Sequence, residues 1–216
     1  MKIRVLLVDD HRIFRQGLCG LIAEEPDLLV VGEAEDGREA LAQVEQLGPD
    51  VVVMDVGMPT LNGIEAARQI ARQHPRIRII ALSMHTNERF VTEMLRAGAT
   101  GYLCKKCEAD ELIQAIRVVA AGQTYLSPAV TGSVVERHVR TPSSPEPGSA
   151  FSRLTDRERE VLQLLVEERS IKEIASELHV SAKTVHAHRE HLAQKLGIQT
   201  MAGLIKYALR EGLAEL

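Results

Sequence analysis

Ile3-Arg4-Val5-Leu6-Leu7-Val8-Asp9-Asp10 is a short apolar run that stops on two carboxylates. Apolar residues at consecutive positions mark a strand buried on both faces of a parallel sheet. The same pattern returns at Leu28–Ala34, Val51–Met54, Ile77–Leu82 and Gly101–Cys104, giving five expected strands. Between them lie helix-period stripes: Ile13, Phe14, Leu18, Leu21 and Ile22; Ala40, Leu41, Val44 and Leu47; Ile64, Ala67, Ile70 and Ala71; Phe90, Val91, Met94 and Leu95; Leu112, Ile113, Ile116 and Val119. Asp36 with Glu39, and Asn62 with Glu65, have the spacing of an N-cap and its reciprocal partner. Five β/α units in succession predict a doubly wound, five-stranded parallel α/β sheet.

Composition narrows the class. The 216 residues are 45% hydrophobic and 26% charged, which excludes a disordered chain. Aromatics are scarce at 3%, and Trp is absent. No run reaches the ~18 apolar residues of a membrane span, and Val5–Val8 gives way to acid too soon for a signal peptide. Three cysteines are too few for a disulfide framework in so long a chain, so a reducing, cytoplasmic setting is expected. The net charge of −4 excludes a wholly basic nucleic-acid coat.

Residues 140–151 hold seven Pro, Gly or Ser in twelve, the composition of an extended linker. Whether residues 129–139 add a helix before it is left open by the sequence. Beyond the linker no strand pattern returns. Thr155 with Glu158 and Ser170 with Glu173 are capping boxes that start helices near 156 and 171; Ser181 starts a third and Thr200 a fourth. Helices two and three are separated only by His179-Val180-Ser181, a helix-turn-helix spacing. The expected organisation is residues 1–125, a linker over 126–151, and an all-α four-helix domain over 152–216.

In an open α/β sheet, ligands bind beyond the carboxyl ends of the strands. Strand one ends in Asp9-Asp10, strand three in Asp55, strand four in Ser83 and strand five in Lys105. Three clustered carboxylates repel unless a cation lies among them, and oxygen-only ligation suits Mg²⁺. Asp55 can then attack phosphorus as a carboxylate nucleophile, with Lys105 and Ser83 contacting the phosphoryl oxygens. Plainer readings stand beside this one: Asp10 as a helix cap, Asp55 as a turn aspartate, Lys105 as a solvated rim residue, Tyr102 as an ordinary half-buried strand residue.

Val-Asp-Asp-His (8–11), Met-Asp-Val-Gly-Met-Pro (54–59), Ala-Leu-Ser (81–83) and Gly-Tyr-Leu-Cys-Lys (101–105) resemble the receiver domain of two-component response regulators, whose sheet is flavodoxin-like. The resemblance implies Asp55 as phosphoacceptor, with Asp10, Asp55 and the Gly57 carbonyl as direct Mg²⁺ ligands and Asp9 acting through water. It also implies Ser83 and Tyr102 as a switch pair, the hydroxyl moving toward the phosphoryl group while the ring turns inward. Cys104-Lys-Lys-Cys107 is a C-x-x-C spacing without a second pair, read as structural thiols with Cys107 made somewhat reactive by its lysine neighbours.

From Leu154 the chain resembles a LuxR-type helix-turn-helix, which with the receiver implies the NarL/FixJ class of response regulators. Helical spacing puts Val185, Leu192 and Leu196 on the packed face of the third helix, with His188 and Arg189 alongside. Lys183, His186, Ala187, Glu190 and Gln194 lie opposite, as groove recognition requires. The resemblance assigns base reading to His186, Ala187 and Glu190; Thr184 and Lys195 complete the expected DNA-binding set. Glu190 stands where a basic or amide side chain is usual, and either accepts from cytosine N4 or reduces affinity. His179, His186, His188 and His191 have no cysteine or carboxylate set around them and are read as surface residues.

Residues 151–216 carry ten Lys+Arg and ten Asp+Glu, so a single copy should bind DNA weakly and gain affinity by pairing on two half-sites. The stripe Met201, Leu204, Ile205, Ala208 and Leu209 is read as domain core, and the resemblance makes its helix a candidate dimer surface. The expected function is a non-enzymatic transcription regulator, switched by a sensor histidine kinase and binding promoter DNA as a homodimer. Two rivals are a phosphorylation-independent DNA binder with a non-switching receiver, and an aspartyl-phosphate hydrolase of the haloacid dehalogenase type. The hydrolase wants a second Asp where this chain has Gly57.

Overall fold

The computed structural model describes residues 2–84, 88–132 and 153–211. The chain divides into two compact units, residues 1–142 and 143–216. The linker stretch 140–151 and the open question over 133–139 lie outside the described residues.

In the first unit, strands and helices alternate as β1 (Ile3–Val8), α1 (Arg12–Ala23), β2 (Leu28–Ala34), α2 (Gly37–Leu47), β3 (Val51–Asp55), α3 (Gly63–Gln73), β4 (Arg78–Ser83), α4 (Glu88–Arg96), β5 (Gly101–Cys104) and α5 (Ala109–Ala120). A sixth strand, β6 (Tyr125–Leu126), follows, and residues 128–132 are helical. All strands are parallel, in the order β2-β1-β3-β4-β5-β6. The order reverses between β1 and β3, so the ligand crevice of a doubly wound sheet opens at their carboxyl ends. The five strands expected are present, and β6 adds to them. It pairs Tyr102 with Leu126, and Val130 beyond it is fully buried, so the packed unit runs into the stretch 126–151 expected as linker.

Strand alternation sorts the core into two layers. Leu6, Val8, Val52, Met54, Ile79, Ala81 and Tyr102 face Ala40, Val44, Ile64, Ile70, Val91 and Met94 of α2, α3 and α4. Val5, Leu7, Val51, Val53, Ile80, Leu82 and Leu103 face Leu18 and Ile22 of α1 and Leu112, Ile116 and Val119 of α5. The α1 stripe differs from expectation. Arg15, Leu18 and Ile22 are its buried residues, while Ile13 is 88% exposed and Leu21 also faces out. Positions 15, 18 and 22 share one helical face, and 13, 17 and 21 share the next.

The caps follow the sequence closely. The Asp36 carboxylate accepts from the backbone N–H groups of Arg38 and Glu39, and Asn62 accepts from Glu65. Glu39 bonds the N–H of Glu35, one residue before the cap. In the second unit, α6 (Asp156–Val166) and α7 (Ile171–Glu177) open on complete capping boxes at Thr155 and Ser170. Ser181 caps α8 (Ala182–Leu196), and the Thr200 hydroxyl accepts from Gly203 at the start of α9 (Met201–Glu211). Val161, Leu162, Leu165, Ile174, Val185, Leu192 and Leu204 form this unit's core. Met201 is 41% exposed, and the Leu209 side chain lies outside what is described. No helix among the described residues is long and apolar enough to cross a membrane.

Candidate functional site: an acidic pocket and an outward-facing helix

Parallel register brings the strand ends to one edge: Val8 pairs with Met54, Asp55 with Leu82 and Ser83 with Cys104. There the Lys105 ammonium lies 2.7 Å from Asp55 Oδ2 and 2.8 Å from Asp9 Oδ2. The side chains of Asp9, Asp55 and Lys105 are 3%, 6% and 8% exposed. Asp55 Oδ1 accepts from the Val56 N–H at 2.7 Å, and the Lys105 N–H donates to the Ser83 carbonyl at 2.8 Å. Burial pushes the Asp55 carboxyl above the usual range, against the pull of Lys105. Burial alone would depress the Lys105 ammonium, but its bonds to Asp55 and Asp9 outweigh that and raise it. The Phe14 ring completes the cradle, its centroid 5.0 Å from Lys105 Nζ.

Asp10 lies on the exposed rim with His11, whose Nδ1 is 2.9 Å from Asp10 Oδ1 and 3.3 Å from Asp9 Oδ1. Ligand atoms of Asp9, Asp10, His11 and Asp55 all fall within 4.8 Å of one another, so the cluster can hold a metal ion. Asp10 does not cap α1: the N-cap is His11, whose own side chain makes no cap bond and whose N–H goes to Asp9 Oδ1. Gly57 sits half-buried in the loop after β3.

Sequence reasoning assigns no site role to His11, which stands in the 8–11 motif, or to Phe14 on the α1 stripe, and misses Arg15 altogether. The buried Arg15 guanidinium donates to the Asp9 carbonyl, to Glu33 at 2.9 Å and to Glu35 at 2.8 Å, fixing the β1–α1 turn to the end of β2. Its spacing with Leu18 and Ile22 was the available signal. Gly63, the first residue of α3, was missed as well. A Cβ there would collide with the Asp55 carbonyl, so only glycine lets α3 start this close to β3.

Tyr102 is fully buried in the α3–α4 layer, and its hydroxyl is hydrogen-bonded to Ser83. Burial pushes its pKa up to about 12. The ring lies inward in this structure, so the reading of Tyr102 as half-buried is superseded. The Cys107 thiol, packed beside α5, is raised to about 11 by burial, which makes it a poor nucleophile despite Lys105 and Lys106.

On α8, Val185 and Leu192 are fully buried, with His188, Arg189 and Leu196 partly so. Lys183, His186, Ala187, Glu190 and Gln194 are exposed, as the spacing required. Thr184 is half-buried, its hydroxyl 2.8 Å from Ser181 Oγ. The Lys195 ammonium is 2.7 Å from Oε2 of buried Glu158, which ties the helix to α6. Arg189, Glu190, Ala193 and Gln194 also line a groove of about 490 Å³ against Met201 and Leu204.

Residues 5–117 match the response regulator receiver domain family, and residues 152–208 match the bacterial regulatory proteins of the luxR family. The chain belongs to the response regulators. Within them it is of the NarL/FixJ class, a DNA-binding transcriptional regulator rather than an enzyme. It is 36% identical to the transcriptional regulatory protein DegU of Brevibacillus brevis, over 98% of this chain and 94% of that one. It is 39% identical to the response regulator GacA of Pseudomonas protegens, over 99% and 98%. Among solved structures it is similar to RcsB of Salmonella enterica serovar Typhimurium bound to a promoter in the presence of the phosphomimetic BeF3⁻. That match has a TM-score of 0.60 and 26% identity, over 96% of this chain and 98% of that one.

Proposed function

We propose that Asp55 accepts a phosphoryl group from a sensor histidine kinase, and that the modified receiver pairs two copies on promoter DNA. The observation that carries this is a buried carboxylate at the carboxyl edge of β3, its Oδ2 2.7 Å from the Lys105 ammonium. An Asp55 oxygen attacks phosphorus in line as the phosphorus–nitrogen bond of the kinase's phosphohistidine breaks, and the electron pair leaves with the imidazole. The product is a mixed anhydride carrying about two negative charges. Lys105 turns its ammonium from carboxylate to phosphoryl oxygen, and the Ser83 hydroxyl donates to another.

The donor set fits Mg²⁺: hard carboxylate oxygens converge within 4.8 Å, and Lys105 already places one cation among them. Asp10, Asp55 and the Gly57 carbonyl would hold the ion directly and Asp9 through water. When bound, it neutralises charge between carboxylate and incoming phosphoryl group.

The receiver comprises residues 1–125 extended by Leu126 of β6 and the helical residues 128–132 packed onto it, followed by a linker to 151 and a DNA-binding domain over 152–216. Lys183, Thr184, His186, Ala187 and Glu190 face the groove. Lys195 reaches phosphate only by leaving Glu158. Moving the receiver from 1:99 to 99:1 active needs ~5.5 kcal/mol from phosphorylation, within reach of a few charge-assisted hydrogen bonds. The protein acts in the cytoplasm, where the kinase's transmitter and the promoter are both accessible.

The inward Tyr102 favours a second reading, a receiver that binds DNA without switching. Incubation with acetyl phosphate and Mg²⁺, resolved on a phosphate-affinity gel, tests phosphoryl acceptance. One phosphoryl group per chain, absent from Asp55→Asn, supports the proposal; no incorporation, or continuous turnover of excess donor, contradicts it.

A further inference from the structure

We propose that Glu190 is a specificity-determining residue that selects cytosine, and rejects guanine and thymine, at one position of each DNA half-site. The inference rests on α8 being the groove-facing helix. Glu190 is exposed and shares one outward stripe with Lys183, His186, Ala187 and Gln194. It lies one turn beyond His186 and Ala187, about 12 Å along the axis from the first residue of α8. Among the described residues, no ion pair engages it. The second lysine of α8, Lys195, lies off this stripe and is paired with Glu158 of α6. Lys183 and Glu190 therefore leave the stripe with no net charge.

A carboxylate can only accept hydrogen bonds. In the major groove, guanine offers the acceptors N7 and O6, and thymine offers the acceptor O4 and a methyl group. Against either, Glu190 would lose its water and face partial negative charge without a donor in return. Cytosine N4 supplies a donor. Adenine supplies N6–H₂ beside the acceptor N7, so one carboxylate oxygen is satisfied and the other is repelled. The order of preference is cytosine, then adenine, then guanine and thymine. The same charge is repelled by every phosphate, so Glu190 lowers affinity for all sequences while sharpening the choice among them.

The test is selection of bound sequences from a duplex library randomised across a half-site, using the full-length protein treated with acetyl phosphate and Mg²⁺. Wild type should enrich cytosine about tenfold at one position. The isosteric variant Glu190→Gln should move that preference to adenine, because an amide bonds N6 and N7 together. Glu190→Ala should flatten the position to below about threefold and bind random duplex two- to threefold more tightly. Cytosine enrichment that persists in Glu190→Ala, or no enrichment in wild type, overturns the proposal. Lys183→Ala and His186→Ala separate its failure from that of the helix placement. If they weaken binding while substitutions at 190 leave base preference unchanged, α8 reads DNA without Glu190. If they leave binding unchanged, the wrong face has been assigned and the proposal falls with it.

Discussion

The acidic pocket and the outward stripe of α8 are both sets of charged side chains at the edge of a small domain, yet they are built on opposite plans. In the pocket, Asp9, Asp55 and Lys105 are each less than a tenth exposed, and the ammonium is bonded to both carboxylates. On α8, Lys183, His186 and Glu190 are open to water. A charge out of water interacts strongly with its neighbours, whereas an exposed one is screened. One covalent event in the pocket can therefore shift a conformational equilibrium. A groove-reading helix would gain through many small contacts, and under the proposed function again from pairing two copies. The proposed division of labour between switch and reader follows from this difference in burial.

Removing the Lys105 ammonium should have the largest effect. Lys105→Met leaves two buried carboxylates without their cation and should cost the first unit ~3–5 kcal/mol, measured by urea unfolding near neutral pH. The sign with pH is fixed. Asp55 already sits above its ordinary value, and without Lys105 it moves further up, so the folded state binds more protons than the unfolded one. Stability of this variant should fall as pH rises from about 4. Millimolar Mg²⁺ should recover part of the loss. A variant as stable as wild type would mean that the pocket is not desolvated as described.

Next comes the ion pair of the second unit, between buried Glu158 and the more exposed Lys195. Although burial opposes it, the bonds from Lys195 and Thr155 hold the Glu158 carboxyl below its usual range. Its stabilisation is therefore present above the ordinary Glu range and is lost as pH falls through the depressed value. Glu158→Ala removes both the capping-box partner and the Lys195 contact, and should cost ~1–2 kcal/mol at neutral pH, and less in acid. A loss independent of pH would show that the carboxylate is not the group responsible.

The smallest effects belong to the exposed stripe. Lys183→Ala should reduce the slope of log affinity against log salt by about 1, at similar cost on every sequence. His186→Ala should act unequally among operators, since a base contact carries sequence information and a phosphate contact does not. If both variants behave alike, the distinction between reading and positioning on α8 is lost.

Much of this was legible in the chain, for particular reasons. Strand ends could be read because both-face burial gives unbroken apolar runs, and a carboxylate directly after such a run must lie at the sheet's edge. The outward face of α8 could be read because Val185 and Leu192 fix its phase. Arg15 was hidden because a lone guanidinium on an apolar stripe looks like a surface residue until its three acceptors converge from Asp9, Glu33 and Glu35. Ile13 reads as core because its type outweighs its phase, yet it is 88% exposed. β6 is two residues long, too short for any periodicity. The inward Tyr102 and the Lys195–Glu158 pair depend on contacts between distant parts of the chain, which local spacing does not encode.

The coupling between the two regions is most directly measured by titrating a target promoter with full-length protein before and after acetyl phosphate treatment, with Asp55 occupancy read by intact mass. Affinity should rise at least tenfold with occupancy in wild type and stay at the untreated value in Asp55→Asn. Equal affinity at zero and full occupancy would contradict a pocket that controls the helix.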